Sequence, residues 1–551
     1  MILMQEDRAA KIIRLQNQLE GLRTNFESQW REVNDYVDPA PNYFQGNTPT
    51  PGQKVGDKVF DDTATEACDR FVAAIDSTLT PRSQRWHRLS INNQKLKDSQ
   101  ITQQYLDDVT DIMFGVRYDP RANFASQCSE LYRSLGKYGT CCLFIDDDLG
   151  VGIRYKSIPL AQIYFSENAV GRIDTVYRKF EYTARQAADA FGEDELPDII
   201  RKKIKTEPET KYWFIHAVYP NDEHNGKIGS FKYTSCYVCI EGKKIVSEGG
   251  YRTFPYAVSR YKTEIGEIYG RSPAMSVLPT IKMINRMRKT VIQSGEKYAN
   301  PPMLLPDDAE EFGFSGQPGS INYGLVGSDG RPMAMPLQMG GNLNINLELI
   351  QDAQQTINNA FLVNLFQILV EAPQMTATEV EYRQQEKGQM LAPTMGRQQS
   401  ELFSVMIERE LDILSAAGVL PPMPQELIDL GGLIEIEYEA PLNKIMRSSE
   451  AISILKALQT AAGLAQFDPN ILKMFNMPEA MRIICDIWGV PADVLKSPEE
   501  LAQMDAAAAQ QAQVQQLLQA APVVAQSAKD MATAQQIATK AGPGQQLGVG
   551  L

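Results

Sequence analysis

The chain has 551 residues, 43% of them hydrophobic and 22% charged, which is ample to bury a core and ordinary for a folded protein. Its net charge of −14 excludes the basic footprint of a tight, non-specific DNA binder, though not a surface that DNA must pass without adhering. Seven cysteines in this length indicate reduced thiols rather than a disulfide framework.

The start, "MILMQEDRAAKIIRLQNQLE", meets charge within six residues and lacks the apolar centre of a signal segment, so no targeting segment is expected. Residues 5–37 carry Ile12, Leu15, Leu19, Leu22 and Phe26 at helical steps, and Asp38-Pro39 ends the pattern. In "FDDTATEACDRF", Asp62 or Thr63 is expected to cap a second helix, with Glu66 completing a capping box. Residues 98–139 read as helical. "TCCLFIDDDLGVGIRYKSI" reads as two strands about an Asp/Gly turn, and "KYWFIHAVYP", "FKYTSCYVCI" and "KKIVSEGG" add strands, so residues 140–265 form a β-containing part.

Residues 272–298 read as one long helix led by Ser272-Pro273. Val277, Leu278, Ile281, Ile284, Val291 and Ile292 share one face, while Lys282, Arg286 and Lys289 share another about 120° away. That basic stripe is open to two uses, a solvated face or cations aimed at a polyanion. Residues 299–341 are rich in Pro and Gly and predict short strands and turns. A second long helix follows over 342–369, interrupted in its most apolar run by Asn364 and Gln367 and far short of the roughly 20 apolar residues that span a bilayer. The loop Val370, Glu371, Ala372, Pro373, Gln374, Met375 leads to a second Thr-Ala-Thr-Glu, where Thr376 and Glu379 are expected to cap a long helix broken near Pro393. Further helices run to about 495, and an Ala/Gln-rich tail follows.

No Walker A, HExxH or G-x-S-x-G pattern occurs in the sequence. His216 lies in an apolar strand and is expected to be a core histidine. Cys236 and Cys239, three apart on a strand, are expected to face opposite sides and so not to share a metal. Asp146–Asp148 is expected to be a solvated turn rather than a cation site, and Ser134-x-x-Lys137 is a two-residue pattern of low specificity. No cofactor and no metal are expected, and no group of residues assembles an acid, a base and a nucleophile.

Taken in order, "QWREVNDYVDP", "LTPRSQRWHRL", "KYGTCCLFIDDD", "IPLAQIYFSENAVGRIDTVYRKFEYTARQ", "YGRSPAMSVLPTIKMIN", "ANPPML", "MTATEVEYRQQE" and "GRQQSELFSVMIERELDILSAAGVLP" resemble the portal (head-to-tail connector) family of short-tailed bacteriophages over residues 30–445. The resemblance implies an α+β, mainly helical portal fold that assembles as a ring, usually of twelve subunits, in the virion at one capsid vertex. It implies a wing over residues 1–271, a two-helix stem (272–298 and 342–369) and a β-containing clip (299–341) inserted between the stem helices. It further implies a tunnel loop (370–376), a kinked wing helix (377–416), a helical crown (417–498) and a tail or barrel (499–551). The implied partners are further copies of the chain, double-stranded DNA in the channel, the terminase large subunit, tail adaptor proteins, and the major capsid and scaffold proteins. No membrane is implied, and assembly takes place in the host cytoplasm. Glu371 would form a negative band around the channel, and Lys282, Arg286 and Lys289 would meet DNA or a neighbouring subunit. Two other readings stand beside this one. One is a nucleic-acid-processing enzyme with a degenerate site at Asp146–Asp148 and the basic stripe. The other is a different virion scaffold or adaptor protein.

Overall fold

A computed structural model describes residues 2–488 except 41–43, 45–51, 53, 83, 94–95, 97–98, 149–151, 223–230, 306, 308–312, 338–342, 364–393, 395, 431–433, 439–440 and 465–473. Helix α1 (Ile2–Tyr36) lies along a five-stranded antiparallel sheet of order β4-β5-β6-β7-β8. These strands are β4 (Ile163–Glu167), β5 (Ile173–Thr183), β6 (Lys211–Pro220), β7 (Tyr233–Cys239) and β8 (Lys244–Tyr251). Alternation along the strands buries both faces. Ala9 and Ile12 of α1 pack with Ile215, Ala217, Cys236 and Val238 on one face. On the other, Phe180, Phe214, Cys239 and Val246 pack under two short helices, α5 (Ala184–Phe191) and α6 (Asp198–Thr206). The buried guanidinium of Arg23 ties α1 to the sheet edge, donating to the carbonyls of Leu160, Ala161 and Ile163.

The larger core gathers the helices around a second sheet. Helices α2 (Thr63–Leu79), α3 (Gln100–Arg117) and α4 (Phe124–Tyr138) pack on the three-stranded sheet of β2 (Thr140–Asp148), β3 (Gly152–Ser157) and β9 (Tyr256–Arg260), ordered β3-β2-β9. Strand β2 begins as the continuous apolar run Cys141–Ile145, consistent with burial on both faces. The predicted helical stretch 98–139 is therefore two helices, broken around Pro120, with Asn123 in the left-handed region at the start of α4.

Long helices α7 (Pro273–Ala299) and α8 (Leu343–Ala360) form an antiparallel hairpin. Between them lies a small insert in which β10 (Met303–Leu304) pairs with β11 (Met335–Pro336). A π-turn at Gln399–Phe403 leads into α9 (Ser404–Ala416), followed by α10 (Gln425–Leu430), α11 (Pro441–Leu464) and α12 (Met477–Trp488).

Two expectations change here. Residues 417–498 are not wholly helical: β12 (Ile434–Tyr438) pairs antiparallel with β1 (His87–Ile91), from Ile91↔Ile434 to His87↔Tyr438. Arg88 and Glu437, paired across the two strands, also join through their side chains at 2.8 Å. Asp146–Asp148 are the last three residues of β2 rather than a turn, because the ladder with β3 continues to Asp148↔Gly152.

Candidate functional site

The hairpin of α7 and α8 is built from its root outward. Ser272 caps α7: its hydroxyl accepts from the Met275 amide at 2.9 Å and donates to the Lys137 carbonyl at 2.8 Å, with Pro273 at the first helical position. Val277, Leu278, Ile281 and Ile284 are buried in the main core. The predicted apolar face thins rather than stops: Val291 is half-buried and still packs on the core, whereas Ile292 is 46% exposed. Helix α8 returns with Ile350, Ala353 and Ile357 buried, and Phe361 meets Phe71 edge-on, ring centroids 6.2 Å apart. The regular helix ends at Ala360 rather than near 369; Leu362 has φ of 59°, a conformation unusual for leucine that stops the helical repeat.

A buried polar joint locks the hairpin to α2. Asn285 Oδ1 accepts from the amides of Phe60 (2.7 Å) and Asp61 (3.1 Å), and its Nδ2 donates to the Ile281 carbonyl. The Asp61 carboxylate accepts from the Thr63 amide at 3.1 Å and from Gln354 of α8 at 3.3 Å, and lies 3.4 Å from Arg288 of α7. This arrangement replaces the predicted capping box. Asp61, not Asp62 or Thr63, satisfies the first free amide of α2, and Glu66 instead reaches Arg70. The joint was invisible in the sequence because Asp61, Asn285, Arg288 and Gln354 are spread over nearly 300 positions and match no motif.

The basic stripe lies on the outer side of α7. Lys282 pairs with Glu32 of α1 at 2.5 Å. The Lys289 amine stands 5.2 Å from the centroid of the Phe60 ring, a cation–π contact. Arg286 is exposed and has no ion-pair partner among the described residues. Val370, Glu371, Ala372, Pro373, Gln374 and Met375, together with the expected cap residues Thr376 and Glu379, lie outside the described residues.

The insert presents apolar side chains to solvent: Leu304, Ile321, Tyr323, Val326 and Met335 are all more than half exposed. Exposure on this scale in so small a module makes the insert a candidate contact surface. Pro and Gly richness signalled turns there but not this exposure.

The remaining motifs resolve into structural roles. His216 is buried; its Nδ1 pairs with the Tyr256 hydroxyl at 2.7 Å and its Nε2 with the Ser235 hydroxyl at 2.9 Å, and its ring stacks on Tyr237. Burial, then the Arg178 charge, lowers its pKa to about 3, so the ring is neutral. Cys236 and Cys239 belong to different clusters on opposite faces of the sheet. The Ser134 hydroxyl donates to the Thr140 carbonyl, while the Lys137 amine is held by Asn34 and Asp38, so the two do not act together. Asp148 is paired with Arg154 at 2.5 Å, and burial pushes the Asp146 carboxyl up from its ordinary range. Among the described residues, no helix is long and apolar enough to cross a membrane.

A family model described as bacteriophage head to tail connecting protein matches residues 9–495. The chain belongs to that family. Among relatives of this connector, a probable portal protein of Bordetella phage BPP-1 is 26% identical over 494 residues, covering 88% of each chain. A portal protein of Salmonella phage epsilon15 is 27% identical over 544 residues, covering 97% of each. Two solved structures are similar at a TM-score of 0.35 and 11% identity. One is the virion of a native gene transfer agent particle (78% of this chain, 89% of that chain). The other is the neck of an empty particle of that kind (72% and 86%).

Proposed function

We propose that this connector is the portal of a phage capsid: a ring of twelve subunits at one vertex, through which double-stranded DNA enters during packaging and leaves at ejection. The observation that carries the reading is the family match along residues 9–495, spanning the helical hairpin and its insert without interruption. Under it, α7 and α8 are the stem, the β10–β11 insert is the clip, the body before them together with residues 377–416 is the wing, and residues 417–498 are the crown. The exposed apolar side chains of the insert support assembly, because neighbouring copies in a closed ring cover them.

The mechanism is passive and physical. The ring holds a channel open, and the clip docks the terminase large subunit during packaging and tail adaptor proteins afterwards. The wing meets the major capsid and scaffold proteins as the particle assembles in the host cytoplasm. The loop 370–376 lines the channel, where Glu371 repeated around the ring gives a band that repels phosphate, so DNA passes without sticking. No bond is made or broken by the chain itself.

A nucleic-acid-processing enzyme built on Asp146–Asp148 would need several carboxylates open to one cation, whereas Asp148 is tied to Arg154, Asp146 is half-buried, and only Asp147 is exposed. Negative-stain images of the purified chain separate the readings. Rings with a central hole support the portal, and metal-dependent nuclease activity lost in Asp147→Ala supports the enzyme.

A further inference from the structure

The hairpin carries two sets of opposite charge that do not meet within the subunit. Arg286, Lys289 and Lys297 are exposed along one outer edge of α7. Glu348 and Asp352, one turn apart, are exposed on the side of α8 opposite its buried residues Ile350, Ala353 and Ile357. Among the described residues none of these five has an ion-pair partner, whereas Lys282 and Arg288 of the same α7 pair with Glu32 and Asp61. Their levels along the hairpin also agree. Arg288 of α7 and Gln354 of α8 both reach Asp61, which brings those two residues to similar heights. From that height Lys289 is one residue further toward the insert and Asp352 two. At about 1.5 Å per residue the two stand within about 2 Å of the same level. Lys297 and Glu348 lie nine and six residues down, a difference of about 4–5 Å.

These charges are flanked by apolar side chains that a solvated helix would not display. Ile292 and Tyr298 on α7, and Leu347 and Leu349 on α8, are between 44% and 52% exposed. The α8 edge is bordered by acidic residues alone and the α7 edge mainly by basic ones, with Glu296 its exposed acidic exception, so the two edges largely complement one another.

We propose that the α7 edge of one subunit docks on the α8 edge of the next copy, with Lys289 opposite Asp352 and Lys297 opposite Glu348. The contact is heterologous, one surface meeting a different surface on the neighbour, which is the arrangement that closes a ring. It rests on the ring reading above, and it assigns the stem cations to subunit contacts rather than to DNA. Charge matched at two levels fixes the axial register of neighbouring hairpins, while the apolar strip between them supplies the buried area. Because the pairs sit near solvent, salt screens them, and assembly weakens as ionic strength rises.

The test uses the full chain carrying Lys289→Cys and Asp352→Cys with a short bis-maleimide. The seven native cysteines are buried and leave the introduced pair to react. The expected result is a ladder of covalent multimers on a denaturing gel, absent from each single variant. Rings in the images with only monomers on the gel overturn the edge pairing while leaving the ring reading standing. An unmodified chain that never forms rings overturns the ring reading itself. Should the cysteine variant fail to assemble, charge exchange decides: Lys289→Glu and Asp352→Lys each lower the ring fraction, and the two together restore it. Failure to restore overturns the pairing. So does protection of Lys289→Cys from maleimide by double-stranded DNA in intact rings, which places that lysine in the channel.

Discussion

Replacing Asn285 by Ala removes the side chain that accepts from the backbone of the loop before α2. Its Oδ1 accepts two backbone amides, those of Phe60 at 2.7 Å and Asp61 at 3.1 Å, and the residue is 2% exposed. A buried donor left without an acceptor costs about 1–3 kcal/mol. The Asp61 amide is fully enclosed and incurs most of that range. The Phe60 amide is partly reachable by water and incurs the low end, so the two together cost about 2–4 kcal/mol. Alanine returns up to about 0.7 kcal/mol of helix propensity. The net destabilisation is then about 2–3 kcal/mol, several times the effect expected of the exposed Arg286→Ala control, about 0.5 kcal/mol or less. Hydrogen exchange is the better assay, because a chain of this size need not unfold in one step. Protection of the Phe60 and Asp61 amides should fall sharply in Asn285→Ala, while amides of the five-stranded sheet keep theirs. Unchanged protection at both positions would refute the joint as described.

Three further outcomes follow from buried groups. His216, neutral in the fold with its pKa lowered to about 3, takes up a proton more readily when unfolded, at about 6.5. Its contribution is complete above about 6.5 and is lost as pH falls toward 3, at about 1.4 kcal/mol per pH unit between those values; denaturant melts that are flat from pH 7 to 5 would contradict this. Gly139→Ala places a methyl 2.4 Å from the Arg271 carbonyl carbon and 2.5 Å from the Ser272 nitrogen, at a φ of 74°. Left-handed strain and backbone overlap there should cost about 3 kcal/mol or more, read as loss of soluble protein, and a normal yield with an unshifted melt would refute the close approach. Glu410→Ala leaves Arg117 buried without its carboxylate partner, now 2.5 Å away, and Tyr155 without its acceptor at 2.6 Å. The expected loss is about 3–5 kcal/mol, with a change in emission from Trp86, whose ring lies 4.7 Å from Arg117. An unaltered melt would mean that the pair is not enclosed.

Elements whose signals are local were legible in the sequence. Ser272-Pro273 marked the start of α7, and alternation marked β6, β7 and β8, because a cap or a strand face is written in neighbouring residues. What escaped was settled by distant partners. The β1–β12 pairing joins residues more than 340 positions apart, and "IEIEY" lay inside a stretch whose flanks are helical. The capping box at Thr63 was outcompeted by Asp61, which the hairpin holds in place from the far side of the core. Asp146–Asp148 resembled a turn by composition, but the β2–β3 ladder carries it as strand. Within the candidate site, the basic stripe was visible as a periodicity, whereas the engagement of Lys282 by Glu32 and of Lys289 by Phe60 needed the packing of α1 and the loop before α2.

The central claim is that this connector works as a ring. Negative-stain imaging and mass measurement of the purified full chain test it directly. The account predicts rings with a central hole and a mass that is a multiple of 61.5 kDa, near twelve subunits. A single 61.5 kDa species that persists at high concentration would contradict it.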